Sequence, residues 1–150
     1  MVEESLITEE MRACIGVPTA PTVIHVDRTA IQRFCEAIAD SNPLWSDEEY
    51  AKSHRYGGLV APPTFLATHY LSGTRPPVPH KLTRGLNGGG EWEFFKPVRL
   101  GDVLVVTSQV VELRERTGSL GKMLFIVVEG TWKNQRNELV ARFRGTTIHY

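Results

Sequence analysis

The sequence predicts an α+β fold in which an antiparallel sheet wraps around one apolar helix. A short helical segment, Pro62–Ser72, carries apolar residues on more than one face, as a buried helix does. Four segments of alternating polarity follow it, at Glu91–Lys96, Asp102–Leu113, Lys122–Lys133 and Glu138–His149. Alternation of this kind is typical of antiparallel strands with one buried face, so the sheet and the helix are expected to cover each other.

Length and charge limit what this domain can be. The chain has 150 residues, of which 41% are hydrophobic and 23% charged, so we assign residues 1–150 to a single domain, with 1–21 as an N-terminal extension. The charges of seventeen basic and seventeen acidic side chains cancel, so the chain lacks the bulk positive field that would attract nucleic acid. The chain shows neither a signal pattern nor an apolar segment of about 20 residues, so we expect a cytoplasmic protein that does not enter a membrane.

The cysteines and histidines predict neither a disulfide framework nor a metal site. Cys14 and Cys35 are too few for either a secreted disulfide scaffold or a cysteine zinc site. The five histidines do not fall at the close spacings of known metal motifs. We therefore expect no metal and two inert thiols.

A short strand and a helix are expected before the motif region. Thr22–Val26 is a β-type segment, and Asp27 is a suitable N-cap for the helix that follows. Pro43 ends this helix, because a proline disfavours a helical residue before it. The apolar face of the helix consists of Ile31, Phe34, Cys35 and Ile38.

Two further helices are expected before the sheet. Ser46 and Glu49 form a capping box for a short helix over Asp47–Ser53. Pro62 begins the apolar helix, and Gly73 is placed to end it.

The second half of the chain is expected to hold a long loop and then the strands. Arg75–Gly90 contains three prolines and four glycines, which predicts a surface loop. Hairpin turns are expected at 116–119 and 134–137. In the last strand, Leu139, Ala141 and Phe143 should face one way and Val140, Arg142 and Arg144 the other. Long strands leave open sheet edges, which favours pairing of two such sheets in a dimer.

The most informative segment lies after the first long helix. Asp40-Ser41-Asn42-Pro43-Leu44-Trp45 resembles the D-x-N-P-L-H signature of the MaoC-like (R)-specific enoyl-CoA hydratases and 3-hydroxyacyl-thioester dehydratases. Tyr56–Phe65, Gly90–Val98 and Leu100–Asp102 match further segments of that family in the same order. The sequences NPLW-x-DEEYA and RYGGLVAPPTF are similar to its N-terminal, FAS1-like dehydratase branch.

The resemblance implies a hot-dog fold that pairs into a double hot dog, and an acyl-thioester substrate carried on coenzyme A or acyl carrier protein. No other cofactor is implied. In such enzymes a carboxylate and an imidazole share the proton transfers of hydration or dehydration. A backbone N–H at a helix start stabilises the charge on the thioester oxygen. Asp40 is thereby the candidate catalytic carboxylate, with Asn42 as its companion.

Two positions depart from the family pattern. Trp45 stands where the family has its histidine, and an indole cannot accept a proton near neutral pH. Ala61-Pro62 stands where His-Gly is common, and a proline has no N–H to donate. We therefore expect a substrate-accommodating subunit whose partner hot-dog chain supplies the catalytic Asp and His. The isolated chain is expected to be weak or inactive.

Several binding contacts are also expected. Trp45 would line the acyl tunnel, and Gly88, Gly89 and Gly90 would let a pantetheine arm run close to the backbone. Arg84, with Arg75 and Lys81, would meet phosphates of coenzyme A. The alternatives are a flexible glycine loop and a solvated basic loop.

Other functions stay open at this point. The chain could be a self-sufficient hydratase that uses Asp40 with a histidine from elsewhere, or a non-catalytic acyl-CoA-binding module. Thioesterase activity is a weaker alternative. Both a homodimer and a heteromer with a second MaoC-like subunit are compatible with the sequence.

Overall fold

The protein folds around one five-stranded antiparallel sheet, as the sequence predicts. The computed structural model describes residues 4–70 and 75–150. The strand order is β1-β3-β4-β5-β2, and every neighbouring pair is antiparallel. The strands are β1 (Thr22–His25), β2 (Gly85–Phe94), β3 (Val103–Gly118), β4 (Gly121–Lys133) and β5 (Leu139–His149).

Within residues 4–70 and 75–150, four α-helices accompany the sheet: α1 (Glu9–Ala13), α2 (Arg28–Ala37), α3 (Glu48–Ser53) and α4 (Ala67–Tyr70). In the described part of the chain, no helix is long and apolar enough to cross a membrane.

The caps of α2 and α3 show how local sequence sets the helix starts. Asp27 caps α2 as predicted, since its carboxylate accepts the Ala30 N–H at 2.8 Å. The predicted cap of α3 is wrong by one residue, because Asp47 and not Ser46 accepts the Tyr50 N–H at 3.0 Å. The N–H of Ser46 instead bonds to the Pro43 carbonyl and closes the 3₁₀ turn of the preceding segment.

The central helix begins as a 3₁₀ turn over Pro63–Leu66 and continues as α4. Phe65 and Leu66 are 2% and 0% exposed, which confirms their expected place in the core. The predicted Leu71, Ser72 and Gly73 lie outside the described residues. Around this helix the core collects residues from β1, α2, β3, β4 and β5: Ile24, Ile31, Leu104, Val106, Trp132, Val140 and Phe143.

The predicted surface loop over Arg75–Gly90 is wrong in its last part, which belongs to strand β2. The strand begins at Gly85, pairs with β5 from His149 back to Ala141, and contains a bulge between Asn87 and Gly90. Gly89, at φ +98°, adopts the left-handed backbone that the bulge requires. The glycines hid the strand from sequence reasoning, because they give no alternation of polarity.

Strand β5 corrects the predicted facing of Val140. Val140 and Ala141 are both fully buried, although they are consecutive. Trp132 pairs with Ala141 and Lys133 with Leu139, so Val140 is the extra residue of a β-bulge. Its carbonyl accepts the N–H of Phe95 at 2.9 Å just after β2, which ties that segment to the core.

The N-terminal segment packs in a second apolar cluster, and two hairpin turns connect β3, β4 and β5. Helix α1 lies within the predicted extension, and Met11 packs fully buried against Leu124 in a second apolar cluster. The turn at 134–137 is confirmed by a bond of 2.8 Å from the Asn137 N–H to the Asn134 carbonyl. The other turn lies two residues later than predicted, since β3 runs to Gly118 and β4 begins at Gly121.

Candidate functional site

A tight turn at the end of α2 presents the candidate carboxylate. Ala39 adopts a left-handed backbone at φ 54°, its N–H bonds to the Glu36 carbonyl, and the Asp40 N–H bonds to the Cys35 carbonyl at 2.9 Å. These two bonds form a Schellman motif, which usually places a glycine where Ala39 stands. The turn therefore holds Asp40 at a defined position, at the cost of a strained alanine.

Both oxygens of the Asp40 carboxylate accept a hydrogen bond from the motif itself. Oδ1 accepts the Asn42 N–H at 3.0 Å, and Oδ2 accepts the indole Nε1–H of Trp45 at 2.9 Å. The Asn42 side chain in turn accepts the Leu44 N–H at 3.0 Å. In this chain the carboxylate thus fixes a turn and an indole ring, and Asn42 caps the 3₁₀ turn that carries the ring.

Trp45 lines two cavities. The first, here the Trp45 cleft, has a volume of about 340 Å³, and the second, here the Asp40 cavity, about 470 Å³. The Trp45 cleft is lined by Trp45, Arg55, Tyr56, Val60, Ala61, Pro63, Phe94, Phe95, Lys96, Pro97 and Val98. The Asp40 cavity is lined by Gln32, Cys35, Glu36, Ala39, Asp40, Ser41, Asn42, Trp45 and Ser46.

The Trp45 cleft is suited to binding and poorly equipped for proton transfer. Its described lining residues include neither a carboxylate nor an imidazole. At the start of the central helix, the Ala61 N–H bonds to the Val98 carbonyl at 2.8 Å, and the next two residues are prolines. The positions 61–63 therefore offer no free N–H to a thioester oxygen.

The other predicted contact residues lie on or beside β2, and none of them lines either cavity among the described residues. A Cβ on Gly90 would stand 2.4 Å from the Phe143 ring, and one on Gly88 would stand 3.1 Å from Ile148. Packing against β5 thus explains two of the three glycines. Arg84 exchanges backbone hydrogen bonds with Tyr150. Their contacts to a ligand remain predictions.

Other titratable groups near the site have structural environments. Burial raises the pKa of the Cys35 thiol, and the negative charge of Asp40 raises it further, which agrees with an inert thiol. Burial lowers the pKa of His69, whose ring centroid lies 5.4 Å from that of Phe65. Among the described residues, no group of three or more His, Cys, Asp or Glu could hold a metal ion.

Sequence reasoning missed the residues that give the Trp45 cleft its shape. Tyr56 follows α3, whereas Phe94 and Phe95 stand at the end of β2, and only the fold brings them to Trp45. All three fall inside segments that resemble the family, and that was the only available signal.

Comparison with known proteins shows which family the chain belongs to. The nearby relatives include a UPF0336 protein of Streptomyces avermitilis, 35% identical over 107 residues, which cover 68% of this chain and 70% of the relative. A probable enoyl-CoA hydratase alpha subunit of Thermomonospora curvata is 30% identical over 138 residues, which cover 80% of this chain and 43% of that protein.

Solved structures show the same fold. The HadBC (3R-hydroxyacyl-ACP dehydratase) complex of Mycobacterium tuberculosis contains a chain that superposes with a TM-score of 0.74 at 25% identity, covering 90% of this chain and 96% of that one. The (R)-hydratase of A. caviae superposes with a TM-score of 0.72 at 19% identity, covering 89% and 94%. Residues 13–143 match the FAS1-like dehydratase domain region. The chain therefore belongs to the FAS1-like dehydratase family and has the MaoC-like hot-dog fold that its motifs predict.

Proposed function

We propose that this chain is the substrate-accommodating subunit of an acyl-thioester hydratase or dehydratase, and that a second hot-dog chain supplies the catalytic Asp and His. Family membership supports the reaction class. The observation that carries the division of labour is the hydrogen bond from Trp45 to Asp40, which occupies the place of the family's acid–base pair.

The chemistry explains why this pair is unsuited to catalysis. Hydration adds water to C3 of an enoyl thioester and a proton to C2, and dehydration is the reverse, so a group must accept and return a proton. The indole of Trp45 is a donor only. Asp40 lines the Asp40 cavity and is not among the lining residues of the Trp45 cleft at the helix start.

Pairing with a second hot-dog chain is supported by the sheet edge. Strand β2 lies at one edge of the sheet. Three apolar side chains on it or directly after it are about half exposed: Leu86, Phe94 and Phe95. The HadBC structure is described as a complex, and the Thermomonospora curvata relative as an alpha subunit. In such a pair, β2 would border the groove between the units, where we expect Gly88–Gly90 and Arg84 to meet the pantetheine arm and phosphates.

A non-catalytic acyl-CoA-binding module is the second candidate function. The lack of a carboxylate or imidazole among the described lining residues of the Trp45 cleft favours it. The two functions differ in one respect, since only the first requires turnover in a complex. A cytoplasmic location remains a prediction from the sequence.

The test compares hydration of a short enoyl-CoA by the isolated chain and by its complex with a partner that has an intact D-x-N-P-L-H motif. We expect background turnover from the isolated chain and full turnover from the complex. Asp40→Asn should leave the complex active, whereas the same change in the partner's motif should lower its rate about 10²–10⁴-fold.

Two results would contradict the proposal. Robust turnover by the isolated chain that Asp40→Asn abolishes would identify a self-sufficient enzyme. A complex that binds acyl-CoA without any turnover would identify a binding module.

A further inference from the structure

The segment that leads into β2 lies against the sheet without backbone hydrogen bonds. Within the described residues, no N–H or carbonyl of residues 76–83 pairs with another backbone group. The next such bonds join Arg84 and Tyr150, at 3.1 and 3.4 Å. Prolines at positions 76, 77 and 79 remove three donors from this segment. The 76–83 segment is therefore held in place by its side chains, and a segment of this kind detaches at a low free-energy cost.

The half-buried side chains of the 76–83 segment include an imidazole between two aliphatic groups. Val78, His80 and Leu82 are half-buried, and the residues that alternate with them are exposed. Val78 and Leu82 pack against the second apolar cluster, which contains Met11 and Leu124. His80 therefore lies on the face that the segment turns towards the sheet, between its two apolar anchors.

His80 contacts a second imidazole, that of His149 at the end of β5. The centroids of the two rings are 4.3 Å apart. His149 pairs with Leu124 on β4 and with Gly85 on β2, and a Cβ on Gly85 would stand 3.3 Å from the His149 ring. Nδ1 of His80 is buried and has no hydrogen-bond partner. A proton taken up by this pair would thus add a charge to a ring that packs against another imidazole.

The charged groups that act on His149 are cations. Burial lowers the pKa of His149, and the positive charges of His80 and Arg75 lower it further. The residues opposite His149 on β2 and β4, Gly85 and Leu124, carry no charge. No carboxylate of the described residues forms an ion pair or a hydrogen bond with either ring. Nothing described here therefore compensates a positive charge on the histidine pair.

The 76–83 segment also forms part of the wall of a cavity of about 490 Å³, here the Met11 cavity. The apolar lining comes from this segment, the N-terminal segment and β4: Leu6, Met11, Pro79, Leu82 and Leu124. Two charged side chains, Glu10 and Lys81, line the cavity as well, and neither pairs with an imidazole. Detachment of the 76–83 segment would remove one wall and open the cavity to solvent.

We propose that His80 and His149 form a pH-sensitive contact, which holds the 76–83 segment on the sheet while both rings are neutral and releases it on protonation. Release places His149 in water, where its pKa returns to the usual 6.5. The released form therefore binds the proton more tightly than the attached form does. The attached form is favoured above about pH 6.5 and loses this advantage as the pH falls below it. This inference does not depend on the proposed function.

The test follows the NMR signals of the Val78 and Leu82 methyl groups, and binding of the neutral apolar dye Nile red, from about pH 8 to about pH 5. We expect the released population to rise about three- to tenfold, because one proton changes such an equilibrium at most tenfold per pH unit. The methyl signals should change together with the ring signals of His149, and dye binding should rise in parallel. The far-ultraviolet circular dichroism should stay constant, which separates local release from unfolding.

Three substitutions at His149 make the test specific. His149→Phe and His149→Gln cannot take up a proton and should abolish the acid response, whereas His149→Lys carries a lasting charge and should release the segment even at about pH 8. His54→Phe is the matched control. His54 also stacks on an aromatic ring, that of Tyr50 at 4.0 Å, but it is exposed and does not contact the 76–83 segment, so its loss should leave the response unchanged.

Three results would overturn the inference. They are wild-type methyl signals that do not change between these pH values, a folded His149→Gln variant that responds as wild type does, and loss of the response in His54→Phe. The two neutral variants differ in size, so a phenylalanine ring that does not fit over Gly85 leaves the glutamine variant to decide. Hydratase activity enters none of these measurements, so their outcome is separate from that of the proposed function.

Discussion

The indole N–H of Trp45 and the carboxylate Oδ2 of Asp40 lie 2.9 Å apart and form a hydrogen bond. In the related catalytic motif this pair of positions holds an acid–base couple, and here it holds a donor and an acceptor that satisfy each other. Asp40 is thus a turn residue whose carboxylate is satisfied by the motif, and Trp45 is a wall of both cavities.

The Asp40–Trp45 bond should contribute measurably to stability. Asp40→Ala leaves the indole N–H and the Asn42 N–H without their acceptor, so we expect a loss of about 1–3 kcal/mol in the free energy of unfolding. Trp45→Phe keeps a ring and removes the donor. Chemical denaturation of both single variants and the double variant should give a coupling energy of at least about 0.5 kcal/mol. Strict additivity would show that the contact is energetically unimportant.

Leu66 should be among the most sensitive core positions. Its side chain is fully buried in the central turn, so Leu66→Ala should cost about 2–5 kcal/mol through lost burial and the cavity left behind. Thr64→Ala, on the exposed side of the same turn, is the control and should change stability by less than about 0.5 kcal/mol. Equal effects at both positions would contradict a core helix here.

Gly90 should not tolerate a side chain, even in the absence of any ligand. A Cβ there would stand 2.4 Å from the Phe143 ring, so Gly90→Ala should destabilise the isolated chain by about 1–3 kcal/mol. Gly58→Ala is the control, because a Cβ at Gly58 meets nothing within 4 Å. If Phe143→Leu in the Gly90→Ala background restores part of the stability, the ring is the cause. A neutral Gly90→Ala would mean that β2 shifts away from β5.

Glu138 should contribute stability that depends on pH. Hydrogen bonds from Asn134, Lys96 and Arg136 lower its pKa from the usual 4.5 to about 2. The folded state therefore favours the carboxylate, and the contribution is present above about pH 4.5 and lost as the pH falls towards 2. Unfolding of wild type and Glu138→Gln across this range should show a difference that narrows on acidification. A difference independent of pH would refute this assignment.

Periodic segments were predictable from the sequence, and positions set by tertiary pairing were not. Asp27 as the cap of α2, and Ile31 and Cys35 on its buried face, follow from local rules, and the structure confirms them. Ile38 was expected on the same face and is 47% exposed, because the helix ends at Ala37.

The facing of Val140 could not be predicted locally, because it depends on a bulge in the register of β4 and β5 that places this residue in the core. The start of strand β2 could not be predicted either, because its glycines give no alternation of polar and apolar side chains. The residues of the Trp45 cleft are far apart in sequence, so their proximity depends on the finished fold.

The strand order also governs when the sheet can form during synthesis. Strand β2 pairs only with β5 in the described sheet, and β5 is made after the whole β3–β4 hairpin. At about 5–20 residues per second, β2 waits several seconds for its partner, and during that time it is exposed to other nascent chains. Its four glycines, together with Glu91 and Glu93, give it a low tendency to form cross-β aggregates. The composition of this strand therefore protects the chain in the interval before its last strand arrives.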